Sequence, residues 1–241
     1  MPDAFAGMKI AQISDFHFRE FTEAAFLRAV VRRVNDLAPE LVVLTGDFVS
    51  NKPLGNQIGI KMGYGCAELL SHIECPLRYA VLGNHDALVS SRAITDALLT
   101  HDIPVLANDF VPLERDGQRI WLAGTEDALM QKPNLTTALP SGRNPDLEPL
   151  ILLSHEPDFA DYASGRHIDL ILSGHTHGGQ ILLPFLPPLL LPDMGIKYVH
   201  GLFRLRDGMQ LYVNRGIGAV NLPFRFRCPP EITLITLQPG S

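Results

Sequence analysis

The 241-residue chain lacks any apolar run of the roughly 18 residues that a membrane-spanning helix needs. It is poor in cysteine: Cys66, Cys75 and Cys228 make no metal-ligand spacing and leave at least one thiol unpaired. That usage fits reduced thiols and gives no disulfide framework. A basic excess is also absent, since 20 Lys and Arg stand against 26 Asp and Glu for a net charge of −6. This argues against a broad nucleic-acid-binding surface, although bound cations would still let an acidic protein take a phosphate ester. Neither an internal repeat nor a dividing linker is visible. At 46% hydrophobic residues the chain can bury a sizeable core, so residues 1–241 read as a single domain. Met1-Pro2-Asp3 runs almost directly into a strand, without a secretory leader, and a cytoplasmic location is the expectation.

What the chain does contain is a series of short apolar, β-branched runs, each ending in polar residues of one chemical type. Met8 to Ile13 reads as a strand and ends in Ser14-Asp15-Phe16-His17. Thr22 is placed to cap a helix with apolar positions at Phe26, Ala29, Val30, Val34 and Leu37. Leu41-Val42-Val43-Leu44 leads to Thr45-Gly46-Asp47, and Leu77 to Leu82 leads to Gly83-Asn84-His85-Asp86. Between them, residues 51–65 read as a Gly- and Asn-rich loop, followed by a helix through Ala67, Leu70 and Ile73; a further helix is expected around Ala93 to Leu99. This strand–helix rhythm predicts right-handed βαβ crossovers and a largely parallel sheet.

The second half changes style. Asp116-Gly117 and Asp207-Gly208 each sit between apolar runs and predict hairpins. Residues 132–148 read as surface loop. Leu150 to Leu153 ends in Ser154-His155-Glu156, and Ile168-Asp169-Leu170-Ile171-Leu172 is followed by Gly174-His175-Thr176-His177-Gly178-Gly179-Gln180. A lone His-x-His reads as a polar turn. Here Asp15, His17, Asp47, Asn84, His85, Asp86, His155, His175 and His177 all lie at strand ends, where open α/β sheets bind ligands, so they are expected to converge. Mixed oxygen and nitrogen cages of this kind suit two neighbouring cations and in-line displacement at phosphorus.

Asp15-x-His17, Gly46-Asp47, Gly83-Asn84-His85-Asp86, His155 and Gly174-His175-Thr176-His177 resemble, in order and spacing, the calcineurin-like metallophosphoesterases. The extended Gly174 to Gln180 motif, Gly216-Ile217-Gly218 and Pro229-Pro230-Glu231-Ile232 resemble the small bacterial phosphodiesterase branch of that superfamily. The resemblance implies an α-β-β-α sandwich of two packed mixed sheets. It implies one metal held by Asp15, His17, Asp47 and His177, and a second by Asp47, Asn84, His155 and His175, with Asp47 bridging. The cofactors would be two divalent or mixed-valence transition-metal ions, manganese, iron or zinc, and the nucleophile a metal-bridging hydroxide. His85 would stabilise the transition state or protonate the leaving oxygen, and Asp86 would orient His85 by a hydrogen bond.

The expected activity is that of a phosphodiesterase or related phosphoric ester hydrolase on a small-molecule or lipid phosphoester. The alternative is a pyrophosphate-bond hydrolase of a nucleotide-linked lipid of the UDP-2,3-diacylglucosamine type. A non-catalytic scaffold is disfavoured because no ligand of the motif is missing. His72, His101 and His167 read as surface residues, His200 as a residue near the late motifs, and Arg225 and Arg227 as a solvated or salt-bridged pair rather than a phosphate clamp. Residues 181–192, apolar but broken by Pro184, Pro187, Pro188 and Pro192, form either a rigid cap on the core or a lip making peripheral contact with a membrane or acyl chain; Phe185, Leu186, Leu189 and Leu190 are the contact candidates. Oligomeric state leaves no trace in the sequence.

Overall fold

The computed structural model describes residues 2–19, 22–50, 56–188, 191–205 and 208–238. The apolar runs of the first half become β1 (Lys9–Ile13), β2 (Leu41–Thr45) and β3 (Arg78–Val81), joined in parallel through α1 (Thr22–Leu37) and α2 (Asn56–Leu70). After α3 (Asn84–Leu99) the chain forms the hairpin β4 (Asp109–Arg115) and β5 (Gln118–Gly124). There follow α4 (Leu135–Ala138), β6 (Leu150–Leu153), α5 (Ala160–Ala163), β7 (Leu170–Ser173), the antiparallel pair β8 (Gly201–Arg204) and β9 (Gln210–Val213), and β10 (Thr233–Thr236). The last strand returns antiparallel to β1, giving one sheet of order β10-β1-β2-β3; the other has the order β4-β5-β6-β7-β9-β8. Both sheets are mixed: the returning β10 gives the first an antiparallel edge, and the two hairpins read in the sequence give the second its antiparallel edges, around parallel centres.

Side chains alternate across each strand, and both faces of both sheets are covered. Ile10, Leu41, Val43 and Val81 meet Ile120, Leu122, Ile151, Leu153 and Leu172 between the sheets. On the other face of the first sheet, Ala11, Ile13, Val42 and Leu44 pack under α1, α2 and α3. Outside the second sheet, Leu150, Leu152 and Ile171 pack against Phe159, Ala160 and Ala163 around α5. Each such Val, Leu or Ile contributes about 1.5–3 kcal/mol when fully buried, so these layers hold the fold together. The result is the α-β-β-α sandwich of two mixed sheets that the resemblance implied.

Several local expectations need correction. The buried stripe of α1 is Leu27, Val30, Val31 and Val34, spaced i, i+3, i+4, i+7, while Phe26 lies outward. The Thr22 side chain and Asp207 lie outside the described residues, as do residues 51–55 of the predicted 51–65 loop. From Asn56 onward that stretch is helix. Its glycines mark helix contact rather than chain breaking: a Cβ on Gly59 would lie 2.8 Å from Val89 Cγ1, and one on Gly63 would collide with Ile94 Cδ1. α3 is broken at Ser90 (φ 177°, ψ 103°): the part beyond the break is the helix expected around Ala93 to Leu99, and an additional segment before it has Asn84, His85 and Asp86 as its first turn. Residues 132–148 are irregular apart from α4, which Asn134 caps by accepting the Thr136 N–H at 2.9 Å.

Candidate metal centre

The carboxyl ends of β1, β2, β6 and β7 and the start of α3 open on one seam between the sheets. Gln12 crosses beneath it, its Nε2 donating to Thr45 Oγ1 at 3.1 Å and to the Ser173 carbonyl at 2.9 Å. Backbone bonds stitch the ends together: Asp15 N–H to Gly46 O, His17 N–H to Asp47 O and Gly174 N–H to His155 O, at 2.9–3.0 Å. The His175 N–H also donates to Asp15 Oδ1 at 3.0 Å. Asp15, His17, Asp47, His175 and His177 have φ of 52°, 45°, 56°, 73° and 52°. Left-handed backbone costs a non-glycine residue on the order of 1–3 kcal/mol, and five of the converging residues adopt it.

One ligand-type atom from each of Asp15, His17, Asp47 and His177 lies within 4.8 Å of the others, and the same holds for Asp47, His155 and His175. Asp47 belongs to both groups. His17 Nε2 and His177 Nε2 are 2.9 Å apart, and His17 Nε2 and His155 Nε2 are each 3.4 Å from Asp47 Oδ2. Asn84 Oδ1 and His155 Nε2 are buried and make no hydrogen bond. A buried polar atom without a partner is costly; His155 Nε2 lies 3.4 Å from Asp47 Oδ2, and Asn84 lines the same cleft as Asp47, where a cation would satisfy such atoms. The donor set therefore fits transition-metal ions. Gly83 leaves the room: a Cβ there would run into Asp47 Oδ1 and lie 2.7 Å from His155 Nε2.

The electrostatics agree with the donor set at three of the four histidines. Burial lowers His17 to about 3 and, with help from His155, His175 to about 4. Burial, then His17 and Arg225, hold His177 well below its usual value. These three rings are neutral at neutral pH and keep a lone pair for a cation. Burial pulls His155 the same way, but the Asp47 carboxylate outweighs it and holds His155 well above its usual value. Burial would raise Asp47, yet His155, His85 and His17 keep it well below the usual carboxylate range. Burial and Asp47 push Asp15 up to about 6 and Asp86 to about 8, with His155 opposing at both.

Hydrogen bonds settle which nitrogen of two rings is turned toward the cage. His155 Nδ1 donates to the Thr45 carbonyl at 2.6 Å, so its Nε2 faces Asp47. His175 Nε2 donates to the Asp193 carbonyl at 2.8 Å and leaves Nδ1 for the cage. A carbonyl only accepts, so each contact fixes a tautomer.

His85 is half-buried, its ring 4.8 Å edge-on from that of His17 and its N–H donating to Asp47 Oδ1 at 2.9 Å. Asp86 works differently from the expected side-chain bond to His85. Its carboxylate accepts the N–H groups of Gly83 at 3.0 Å and Val49 at 3.2 Å, so it fixes the turn that carries Asn84 and His85. The cleft above the cages has a volume of about 220 Å³ and is lined by Asp47, Asn84, His85, His175, His177, Gln180, Leu191, Pro192, Val220 and Asn221 among others. A larger groove of about 750 Å³ beside the β4–β5 hairpin contains none of the candidate ligands. His72, His167 and His200 are exposed and stand apart from both cages.

Two residues with a clear part in the site had no such reading in the sequence. Arg225 is neither a solvated pair nor a phosphate clamp. Its guanidinium donates to the carbonyls of Gly218 at 2.7 Å, Arg215 at 2.8 Å and His177 at 3.2 Å, and lies 3.3 Å from His177 Nδ1. Gln180 donates from Nε2 to the carbonyls of Val220 and Leu222 at 3.0 Å and of Phe224 at 3.2 Å. Both act through backbone atoms, which leave no pairing pattern in a sequence. The one signal was composition: an Arg and a Gln beside glycine-rich and proline-rich motifs.

The fold and the double cage define a metal-dependent phosphoesterase, and similarity to known proteins agrees. Residues 8–179 match the model of the calcineurin-like phosphoesterase family, and the chain belongs to that family. It is 35% identical to the uncharacterized metallophosphoesterase YkuE of Bacillus subtilis, over 99% of this chain and 82% of that one. It is 28% identical to the phosphodiesterase YaeI of Escherichia coli, over 98% and 84%. It is 29% identical to the UDP-2,3-diacylglucosamine pyrophosphatase LpxG of Chlamydia muridarum, over 98% and 86%. Among solved structures the NAD nucleotidase NadN of Haemophilus influenzae shares the fold, at a TM-score of 0.54 and 19% identity over 86% of this chain and 49% of that one. The protein is a hydrolase acting on phosphoric ester bonds.

Proposed function

We propose that residues 1–241 act as one dinuclear phosphodiesterase domain. Asp15, His17, Asp47 and His177 would hold one ion and Asp47, Asn84, His155 and His175 the other, with Asp47 common to both sets. His17 and His155 would ligate through Nε2 and His175 through Nδ1. The observation that carries this reading is the pair of buried, unpartnered atoms, Asn84 Oδ1 and His155 Nε2, beside a carboxylate common to both cages. Manganese, iron and zinc all suit such oxygen and nitrogen donors. When bound, the ions supply Lewis acidity toward a phosphoryl oxygen and a nucleophilic water at neutral pH.

The remaining work falls to the chain itself. His85 stands over the cleft, held by the bond from its backbone to Asp47, and stabilises developing charge or protonates the leaving oxygen. Asp86 keeps that turn in place through Gly83 and Val49. Identity to a phosphodiesterase over 98% of the chain supports diesters as the substrate class; comparable identity to a pyrophosphatase of a nucleotide-linked lipid supports the second reading. A screen of protein reconstituted with each metal, over phosphomonoesters, phosphodiesters, cyclic nucleotides and UDP-linked diacylglucosamine, separates the two. Preference for soluble diesters is expected. Turnover confined to the UDP-linked lipid would replace the first reading by the second, and absence of turnover on every substrate with both ions bound would overturn both.

A further inference from the structure

We propose that residues 181–188 and 219–227 form a platform that docks on a phospholipid surface beside the mouth of the metal cleft. The core-cap alternative for the proline-broken stretch fails at Leu183, Phe185 and Leu186, which are exposed and belong to no core cluster, while Ile181, Leu182 and Leu191 are half-buried. Leu189 and Leu190 lie outside the described residues. Phe185 is 105% exposed, and Leu222, Phe224 and Phe226 on the neighbouring segment are also exposed.

The two segments are locked to each other. The Leu182 N–H donates to Phe226 O and the Phe226 N–H to Gln180 O, each at 3.0 Å, and the Gln180 amide binds the backbone of Val220, Leu222 and Phe224. An apolar cluster on a fixed framework keeps its side chains in water, so burying them among acyl chains is favourable. The roots of the platform reach the cages. His177 lies just before Gln180, and Asp193, just after the proline stretch, accepts from His175 Nε2. Leu191, Pro192, Val220 and Asn221 line the cleft itself.

Charge and backbone chemistry select lipid as the occupant. Neither 177–192 nor 215–230 contains an Asp or Glu, while the second holds Arg215, Arg225 and Arg227 in a chain of net charge −6. Arg215 pairs with Glu231 and Arg225 is tied to carbonyls, but Arg227 is exposed beside Phe226. Leucine and aromatic side chains next to arginine match the boundary between acyl chains and anionic headgroups. Pro184, Pro187 and Pro188 have no N–H, so the tip carries few unpaired donors into a layer that cannot hydrogen-bond them. Docked in this way, the cleft mouth lies at headgroup depth, where membrane-held phosphoesters are presented.

The test is flotation of the metal-loaded full chain with vesicles of phosphatidylglycerol and phosphatidylcholine. The wild type is expected to float, and the double variants Phe185→Ser/Leu186→Ser and Phe224→Ser/Phe226→Ser to lose about tenfold or more in partitioning. Arg227→Glu should weaken binding to phosphatidylglycerol more than to pure phosphatidylcholine. Tyr162→Ser, which removes an exposed aromatic from α5, should leave flotation unchanged. Turnover of a soluble diester stays at the wild-type level in all of these variants and reports separately on the proposed chemistry. A wild type that does not float, or a Phe185→Ser/Leu186→Ser variant that floats equally well, overturns the proposal. So does a dimer seen by light scattering that this variant dissolves without any vesicle binding; the platform would then join two copies of the chain.

Discussion

The two candidate cages share Asp47 but are held in different ways. His155 and His175 are anchored by the carbonyls of Thr45 and Asp193, atoms that no substitution removes and that only accept. His17 and His177 are anchored by side chains: His17 Nδ1 lies 3.2 Å from Ser50 Oγ, and His177 is braced by Arg225 through its carbonyl and ring. A hydroxyl can donate or accept, so it fixes the His17 tautomer less firmly than a carbonyl would. A cation beside His177 also works against a second positive charge, because it helps to keep that ring's pKa well below its usual value after burial and His17. The difference teaches that the rings of His155 and His175 are the more firmly oriented pair, and those of His17 and His177 the more adjustable one.

The largest expected effect breaks the comparison by removing what the cages have in common. Asp47→Asn should lose both ions and essentially all turnover, measured by metal analysis and diester hydrolysis; full occupancy with normal activity would refute the shared role. His85→Ala sharpens the comparison by sparing both cages. It should keep both ions and lose turnover by about 10²–10⁴-fold. Alkyl esters should suffer more than esters with acidic phenol leaving groups if His85 is the leaving-group acid, and both should suffer equally if it stabilises charge.

Arg225→Met aims at one cage alone. It should weaken the ion held by Asp15, His17 and His177 by about 10–100-fold, as loss of a residue behind a ligand typically does, and leave the other ion in place. Arg225→Lys should recover only part of this, since an ammonium cannot span the carbonyls that the guanidinium fork reaches. The smallest effect belongs to Ser50→Ala, at or below about tenfold in affinity at the same cage. Equal weakening of both ions by either substitution would show that the cages are not held independently.

Much of this site was legible because each ligand follows a strand that announces itself. Ile13, Leu44, Val81, Leu153 and Leu172 close apolar runs, and Asp15, Asp47, Asn84, His155 and His175 come just after them. A parallel sheet then brings such ends together. The helix at residues 56–65 was hidden because glycine reads as a breaker in isolation, whereas Gly59 and Gly63 serve the crossing with α3. The first turn of α3 was read only as a strand end, since its residues are ligand types rather than an apolar stripe. The roles of Arg225, Gln180 and Ser50 stayed invisible for a further reason: their partners are mainly backbone atoms or a ring nitrogen far away in sequence. The indirect role of Asp86 likewise depends on Val49, reached only when the two strand ends meet.

Calorimetric titration of manganese into metal-free protein tests the central claim most directly. Two binding steps per chain are predicted, one lost in His155→Ala and the other in His17→Ala, with hydrolysis appearing only as the second step fills. A single step that restores full activity would contradict the dinuclear account.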